Sequence, residues 1–396
     1  MHVLIIGAGL GGLCLAQCLR KQGISFEVFE RDENEHSRPQ GWAIAIHTIL
    51  DDLAASFPSD MPDLKSSTNH LSPLNLPAQM SLYYPGSQGR LGMQDSPEMP
   101  IIRAERHRLR KWLATNIPIQ WNKRATKIEH DENGVSVLFK DGTAAKGDIL
   151  VGADGINSVV REQLLQRPGS ELLKLVPLAA IVGELDLSGE AFKRQLELGH
   201  SAYIYLSPDR SFWNFGGLHH VYPDGISGRH YWMFMQPDPN VDDDSHWLRT
   251  ATQREKLDYV LGRVANIPPK FQEIIKLTPV DGIKQDQHIW RDLELTALPT
   301  GRVVLMGDAA HAMTPFRGEG GYHTLIDAMK LSQILGGLDV QNSAEVDAAI
   351  AQYNVEMLAR GSEAVRNSRS VHSATQTVNY MAKPLPKADI QLEVVH

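Results

Sequence analysis

A short apolar run that ends in a glycine-rich turn and passes straight into a helical pattern constrains this chain more than any other feature. Residues 2–7 read HVLIIG, and Gly7-Ala8-Gly9-Leu10-Gly11-Gly12 fits the pattern G-x-G-x-x-G. The apolar run predicts a buried strand. Residues 10–22, with Leu13, Ala16 and Leu19 on one side, predict a helix, and residues 24–30, ISFEVFE, a second strand. In this context Gly7 allows the tight turn, Gly9 lets backbone approach a pyrophosphate, and Gly12 lets helix and strand pack closely. The helix start then offers free N–H groups to phosphate charge. Glu30, at the end of the second strand, is placed to accept hydrogen bonds from an adenosine ribose. Its carboxylate would repel a ribose phosphate, which favours FAD or NAD over bound NADP. A glycine turn without a ligand is the plainer alternative, and strand, helix and acid together weigh against it.

Further strands of parallel-sheet character are expected at 148–152 (DILVG) and 302–306 (RVVLM). Between them residues 176–235 are strand-rich, with alternation in SAYIYL and RHYWMFM, as in an antiparallel sheet with one covered face. The fold class expected is therefore α/β: a Rossmann-like dinucleotide domain, discontinuous over 1–72, 98–175 and 297–345. A mainly antiparallel β-sheet domain is inserted at 73–97 and 176–296, and a C-terminal helical segment covers 346–396. Within this frame residues 102–114, IRAERHRLRKWLA, predict a strongly basic amphipathic helix. Short strands are expected near 123–130 and 134–139, and helices over 240–280, 320–336, 343–359 and 362–378.

Composition narrows the function classes. Lys and Arg number 39 against 47 Asp and Glu, a formal charge of -8. That balance argues against an electrostatic grip on nucleic acid or an anionic membrane. The two cysteines, Cys14 and Cys18, lie four apart in the first helix, which suits neither a disulfide framework nor a metal cluster, and no metal is expected. No stretch reaches the length of a spanning helix. The chain enters folded-looking sequence at His2, which leaves no room for a leader and predicts a cytoplasmic protein.

Two more segments repeat the strand-then-glycine theme. Val151-Gly152-Ala153-Asp154-Gly155 is followed by Asn157, Ser158 and Arg161. Gly307-Asp308-Ala309-Ala310-His311 follows RVVLM and leads through Pro315 to Gly318-Glu319-Gly320-Gly321 at a helix start. Alone, Asp-Gly reads as a turn. A carboxylate at a strand end can also hold sugar-like hydroxyls, and a glycine-rich helix start can stabilise negative charge on a flat ring. His311 suits packing or hydrogen bonding better than direct chemistry.

Taken in series, GAGLGG at 7–12, GADG at 152–155 and GDAAHAMTPFRGEGG at 307–321 resemble the single-component FAD-dependent aromatic hydroxylases. These are the group A flavoprotein monooxygenases, related to para-hydroxybenzoate and salicylate hydroxylases. The resemblance spans roughly residues 2–345. It implies that Gly7, Gly9, Leu10 and Gly12 cradle the FAD pyrophosphate, that Glu30 binds the adenosine ribose, and that Arg31 lies beside the adenine. Arg106 matches an arginine that opens a helix and reaches the phosphate region; its plainer reading is a solvated helix face shared with Arg103, Arg108, Arg110 and Lys111. Asp154 and Gly155 match the second fingerprint, which touches FAD and NAD(P)H indirectly. Asp308 matches the ribityl-binding aspartate, Pro315 the proline beside the isoalloxazine, and Gly318, Gly320 and Gly321 the backbone at its pyrimidine end. Departures are Glu319, where the family often has Gln, and Tyr322 or His323, where it often has Asn. The thioredoxin-like domain of the larger phenol hydroxylases is not expected after residue 345.

The implied activity is NADPH- or NADH- and dioxygen-dependent hydroxylation of an aromatic or polycyclic small molecule, such as a secondary metabolite, through a C4a-hydroperoxyflavin. Epoxidation, Baeyer–Villiger insertion, an FAD oxidase or dehydrogenase, and a non-enzymatic flavin-binding protein stay open alternatives. Tyr203, Tyr205, Phe212, Trp213, Phe215, Tyr231, Trp232 and Phe234 favour a flat, apolar substrate. Alternation puts Tyr203 with Tyr205, and Trp213 with Phe215, on common faces, one for the core and one for a ligand. His219, His220 and Arg229 are candidates to bind or deprotonate a phenol, although the sequence names no base. Monomer and homodimer are both compatible with it.

Overall fold

A computed structural model describes residues 1–38, 41–85, 90–370, 383–385 and 390. Its principal elements are, in chain order, β1 (His2–Ile6), α1 (Leu10–Gln22), β2 (Ser25–Phe29), β3 (Gln79–Tyr83), β4 (Leu91–Gln94), β5 (Ile101–Glu105), α2 (Arg106–Leu113), β6 (Ile119–Gln120), β7 (Ile149–Gly152) and α3 (Val159–Leu165). There follow β8 (Leu178–Ser188), α4 (Gly189–Leu198), β9 (Ala202–Leu206), β10 (Trp213–Val221), β11 (Ser227–Pro237), α5 (Gln253–Arg263), α6 (Pro269–Lys276), β12 (Val303–Leu305), α7 (Asp308–His311), α8 (Gly320–Leu335) and α9 (Ser343–Ser370). The chain divides into two units. The first holds Met1–Ser67, Arg106–Lys174 and the chain from Arg291 to the end of α9; the second holds Thr68–Glu105, Leu175–Trp290 and the described residues beyond α9.

The first unit is built on a five-stranded sheet in the order β12-β7-β1-β2-β6, with every neighbouring pair parallel. Val3, Leu4 and Ile5 are wholly buried, as a central parallel strand covered on both faces requires. Helix α1 packs on α8. A Cβ at Gly11 would lie 2.5 Å from Thr324 Cγ2, so only glycine permits that approach. Gly23, at φ 69°, ends α1 in the left-handed conformation and donates to the carbonyls of Arg20 and Leu19.

The structure corrects two of the expected elements and divides a third. The predicted helix over 102–114 is a strand, β5, followed by the shorter helix α2. All five β5 residues are buried, and the Arg103 carbonyl accepts from His70 N, so tertiary pairing overrides the helical pattern. Arg103 therefore leaves the solvated basic face. So does Arg110, which is buried and donates from Nε to the Ala8 carbonyl at 2.8 Å. The two helices expected at 343–359 and 362–378 are one continuous helix as far as Ser370. Gly361 reads as a break, but it makes room for the His311 ring, whose Cδ2 would stand 2.6 Å from a Cβ there; residues 371–378 lie outside the described residues. The helical stretch expected over 240–280 is two helices, α5 and α6. Thr252 and Glu255 form a capping box at the start of α5, and Pro269 is the first residue of α6.

The second unit is a seven-stranded sheet in the order β8-β11-β10-β9-β3-β4, closed by Lys383–Pro384. The first three pairs are antiparallel and β9 pairs parallel with β3. One face is buried under helices. Tyr203 and Tyr205 lie on it with ring centroids 5.9 and 4.4 Å from that of Phe271 in α6, and Trp232 donates from Nε1 to Thr278. Glycines in the strands make that packing possible, since a Cβ at Gly216 would lie 2.5 Å from the Tyr203 ring, and one at Gly183 2.5 Å from Trp232. By register, Trp213 faces Leu206 and Phe215 faces Ile204, which puts both rings on the opposite, half-buried face. The first shared-face pair is thus core and the second is accessible.

Candidate functional site

The three glycine-rich segments leave the carboxyl ends of β1, β7 and β12, three neighbours in the parallel sheet. Ligands of open α/β sheets sit outside these strand ends. Gly7 has φ 110°, and a Cβ there would lie 2.4 Å from the Ala153 carbonyl oxygen, so the first and second segments touch. A Cβ at Gly12 would lie 2.0 Å from the Gly7 oxygen, whereas one at Gly9 would meet nothing within 4 Å. Gly12 is therefore a packing glycine and Gly9 borders open space. Gly9 caps α1 without a side chain, and no acid occupies the first turn, so the N–H groups that begin at Leu10 remain donors for an anion.

Glu30 is almost fully buried. It accepts from Ala8 N at 2.8 Å and Asp32 N at 3.1 Å, with Arg110 4.0 Å away. These bonds hold the glycine loop against the end of β2 and leave part of the carboxylate's acceptor capacity unused. Arg31 follows it, half-buried. Asp154 accepts from Ser158 Oγ and from Val160 N at 3.2 Å, while Ser158 caps α3 by accepting from Arg161 N at 2.9 Å. Burial raises the Asp154 carboxyl pKa against the lowering effect of these bonds. Arg161 joins the second and third segments by donating to the carbonyls of Ile156 at 2.7 Å and Ala309 at 3.2 Å.

Asp308 and Arg106 behave differently. Both side chains are open to solvent, yet protein crowds around them, and neither has a hydrogen-bond partner among the described residues. Desolvation raises the Asp308 pKa, opposed chiefly by Arg106; desolvation also lowers that of Arg106, opposed by Asp308. Two accessible, uncommitted and opposite charges fit a ligand that carries both hydroxyls and an anion, as FAD does. Pro315, which is exposed, starts a short 3-10 turn, and Gly318 ends it at φ 68°. Gly320 and Gly321 open α8 with no side-chain cap and no acid in the first turn. A Cβ at Gly321 would overlap Ile44 at 1.8 Å.

The departures from the family pattern have definite environments. Glu319 is held by both sides of Arg317 at 2.9 Å. Tyr322 stacks on His47 at 4.8 Å and reaches Thr48 Oγ1 at 3.1 Å. His323 is buried beside Arg360, and burial with that charge lowers its pKa to about 4.

Sequence reasoning missed the brace behind the third segment. Asp327, wholly buried in α8, accepts from Gly307 N at 2.8 Å, His311 Nε2 at 2.6 Å and Arg360 at 2.6 Å. His311 is thus buried and hydrogen-bonded. The available signal was one carboxylate among the apolar positions of α8, between Leu325 and Ala328.

On the accessible face of the second unit, Phe215 lies with its centroid 5.4 Å from that of Tyr231. The Tyr231 hydroxyl accepts from Arg103 at 2.9 Å. Arg229 pairs with Glu184 at 2.9 Å and Asp186 at 3.1 Å, and His220 packs edge-on against Tyr222. Among the described residues no three His, Cys, Asp or Glu side chains cluster as metal ligands, and no helix is long and apolar enough to cross a membrane.

Comparison with known proteins agrees with the first unit's design. The FAD binding domain family is matched over residues 1–368. The FAD-dependent monooxygenase thnD of Trichoderma harzianum is 58% identical over 404 residues, covering all of both chains. The FAD-dependent monooxygenase phnB of Penicillium herquei is 31% identical over 384 residues, 94% of this chain and 91% of that one. The crystal structure of a putative FAD-containing monooxygenase from Photorhabdus luminescens superposes with a TM-score of 0.75 at 25% identity, covering 95% of this chain and all of the other. With the strand-end glycines and an uncommitted Asp308 and Arg106 in place, the chain belongs to the FAD binding domain family, among the FAD-dependent monooxygenases.

Proposed function

We propose that this protein uses NADPH or NADH and dioxygen to hydroxylate an aromatic or polycyclic small molecule, of the kind found in secondary metabolism. The observation that carries the reading is the pairing of accessible, uncommitted Asp308 and Arg106 beside the three glycine segments. Bound FAD would supply two-electron transfer from a nicotinamide and the activation of dioxygen.

The chain's own residues provide the rest. The N–H groups at Leu10 to Gly12 hold the pyrophosphate, aided by Arg106. Asp308 accepts hydrogen bonds from ribityl hydroxyls, Glu30 from the adenosine ribose, and Arg31 lies along the adenine. Asp154 acts through the α3 cap that it builds. The amides of Gly320 and Gly321 at the start of α8 stabilise negative charge on the ring, with Pro315 and Gly318 shaping the backbone beside it. Ile204, Trp213, Phe215 and Met233, all half-buried on one sheet face, offer a flat apolar surface to the substrate.

The test is a panel of phenols, naphthols and polycyclic aromatics, followed by nicotinamide oxidation, oxygen uptake and product mass. A substrate-stimulated rate with a product heavier by one oxygen atom is expected. Flavin that neither nicotinamide reduces, or oxygen uptake that ends only in hydrogen peroxide, would overturn the reading.

A further inference from the structure

Strand β5 carries Arg103 and Glu105 on one side, because side chains two apart in a strand point the same way. Both are buried. Arg103 donates to the Tyr231 hydroxyl at 2.9 Å and lies 5.8 Å from the Phe215 ring centroid. It has no carboxylate partner among the described residues. Glu105 Oε1 lies 3.1 Å from His219 Nε2. The Glu105 side chain is 7% exposed and that of His219 21%, so the imidazole spans the distance from a buried carboxylate to an accessible surface.

This contact sets the tautomer. With Nε2 turned to a carboxylate, the proton resides on Nε2 and the lone pair on Nδ1. Nδ1 has no hydrogen-bond partner among the described residues. His219 is the extra residue of a bulge in β10, between Leu218 and His220, and one side of β5 meets both it and the aromatic face: Arg103 lies 5.8 Å from the Phe215 ring centroid, and Glu105, two residues on, contacts His219. A buried acid that orients an imidazole whose second nitrogen is free is the arrangement of a general base.

We propose that His219 removes the phenolic proton of the substrate and that Glu105 is its positioning residue; the proposal rests on the aromatic hydroxylation reading above. The substrate O–H bond breaks, its electron pair stays on oxygen as a phenolate, and the proton forms an N–H bond at Nδ1. The resulting imidazolium is hydrogen-bonded to Glu105, and no oxidant or reductant is consumed. Phenolate oxygen enriches the ring carbons ortho and para to it, which favours attack by an electrophilic oxygen.

The charged and titratable neighbours come from several elements. His220, next in β10, meets the His219 ring edge-on at 4.8 Å. Strand β5 presents Glu105 and Arg103. His70, which precedes β3, is held neutral first by burial and then by Arg103, with a smaller contribution from His219. On β11, Arg229 is engaged by Glu184 and Asp186.

The test uses the FAD-loaded protein and two chromophoric phenols, para-nitrophenol and nitronaphthol, whose phenol and phenolate absorb at different wavelengths. At a pH below each probe's own midpoint, the wild-type protein is expected to bind the phenolate. Its bound midpoint should lie roughly tenfold in proton concentration, one pKa unit, below that of the free probe. His219→Asn should return the midpoint to the free value or above, and Glu105→Gln should move it part of the way. Melting curves establish that each variant is folded. If His219→Asn does not fold, the nearly isosteric Glu105→Gln carries the test. Neutral phenol bound by the wild type, no binding of either probe, or an unchanged midpoint in the folded variants would overturn the proposal. The readout needs no turnover, so failure of the hydroxylase reading would appear separately, in the nicotinamide and product-mass assay.

Discussion

Removing Asp327 should destabilise the first unit out of proportion to one side chain. Asp327→Ala deletes two charge-assisted hydrogen bonds, to His311 and Arg360, and one from Gly307 N. Each charged bond is worth about 1.5–3 kcal/mol, and a stranded buried N–H costs about 1–3 kcal/mol. Arg360 keeps Glu356 at 2.9 Å, which relieves its isolation. The net is close to the ~3–5 kcal/mol typical of breaking a buried ion pair from one side. For a unit of this size each kcal/mol shifts the melting temperature by about 2–4 °C, so a fall of about 6–20 °C is expected.

The deficit should also depend on pH. Burial pushes the Asp327 carboxyl up, but His311 and Arg360 outweigh it and hold the pKa below its usual value. That contribution is present above the unfolded pKa of about 4 and is lost as pH falls through the lower native value. Burial pushes His311 down, but Asp327 outweighs it and raises the pKa. Its contribution is complete below about pH 6.5 and fades as pH rises through the raised native value. Thermal melts of wild type and Asp327→Ala across pH should therefore differ most between about pH 4 and 6.5. A variant that melts within about 2 °C of wild type throughout would refute the reasoning.

Gly9→Ala and Gly12→Ala should separate cofactor space from packing. Gly9 has φ -78° and open space, so its alanine variant should fold normally and lose FAD affinity, while Gly12→Ala should fail to accumulate as folded protein; circular dichroism and flavin titration read both. Asp308→Ala and Arg106→Ala should stay folded and bind FAD roughly ten- to a hundredfold more weakly, and near-normal affinity by flavin fluorescence quenching would remove either residue from the site. Phe271→Ala, which strips the ring under Tyr203 and Tyr205, should cost about 3–5 kcal/mol in denaturant melts. Phe215→Ala should leave stability nearly unchanged and weaken binding of the aromatic substrate instead.

Much of the cofactor site is legible in the sequence because its logic is local. Gly7, Gly9 and Gly12 are demanded by a turn, a close approach and a strand–helix contact within a few residues, and Asp308 stands one residue beyond a glycine at a strand end. The inserted sheet announces itself by alternation at Tyr203, Ile204 and Tyr205. What was illegible depends on partners distant in sequence. β5 has a helical pattern, yet it is extended because its backbone bonds to His70 and its side chains bury. Gly361 would break an isolated helix, yet it is retained because the His311 ring fills the space.

By itself the sequence determined that this chain makes a dinucleotide-type α/β domain from three separated glycine segments, since steric allowance and period are properties of neighbouring residues. Only the tertiary structure decided which charges are committed. Glu30, Asp154 and Asp327 are occupied by backbone or ion-pair partners, Asp308 and Arg106 are not, and the buried Glu105 holds the Nε2 side of His219. The physical reason is that a carboxylate's role depends on the donors around it and the solvent it has lost, and both are supplied by residues that meet only in the folded chain.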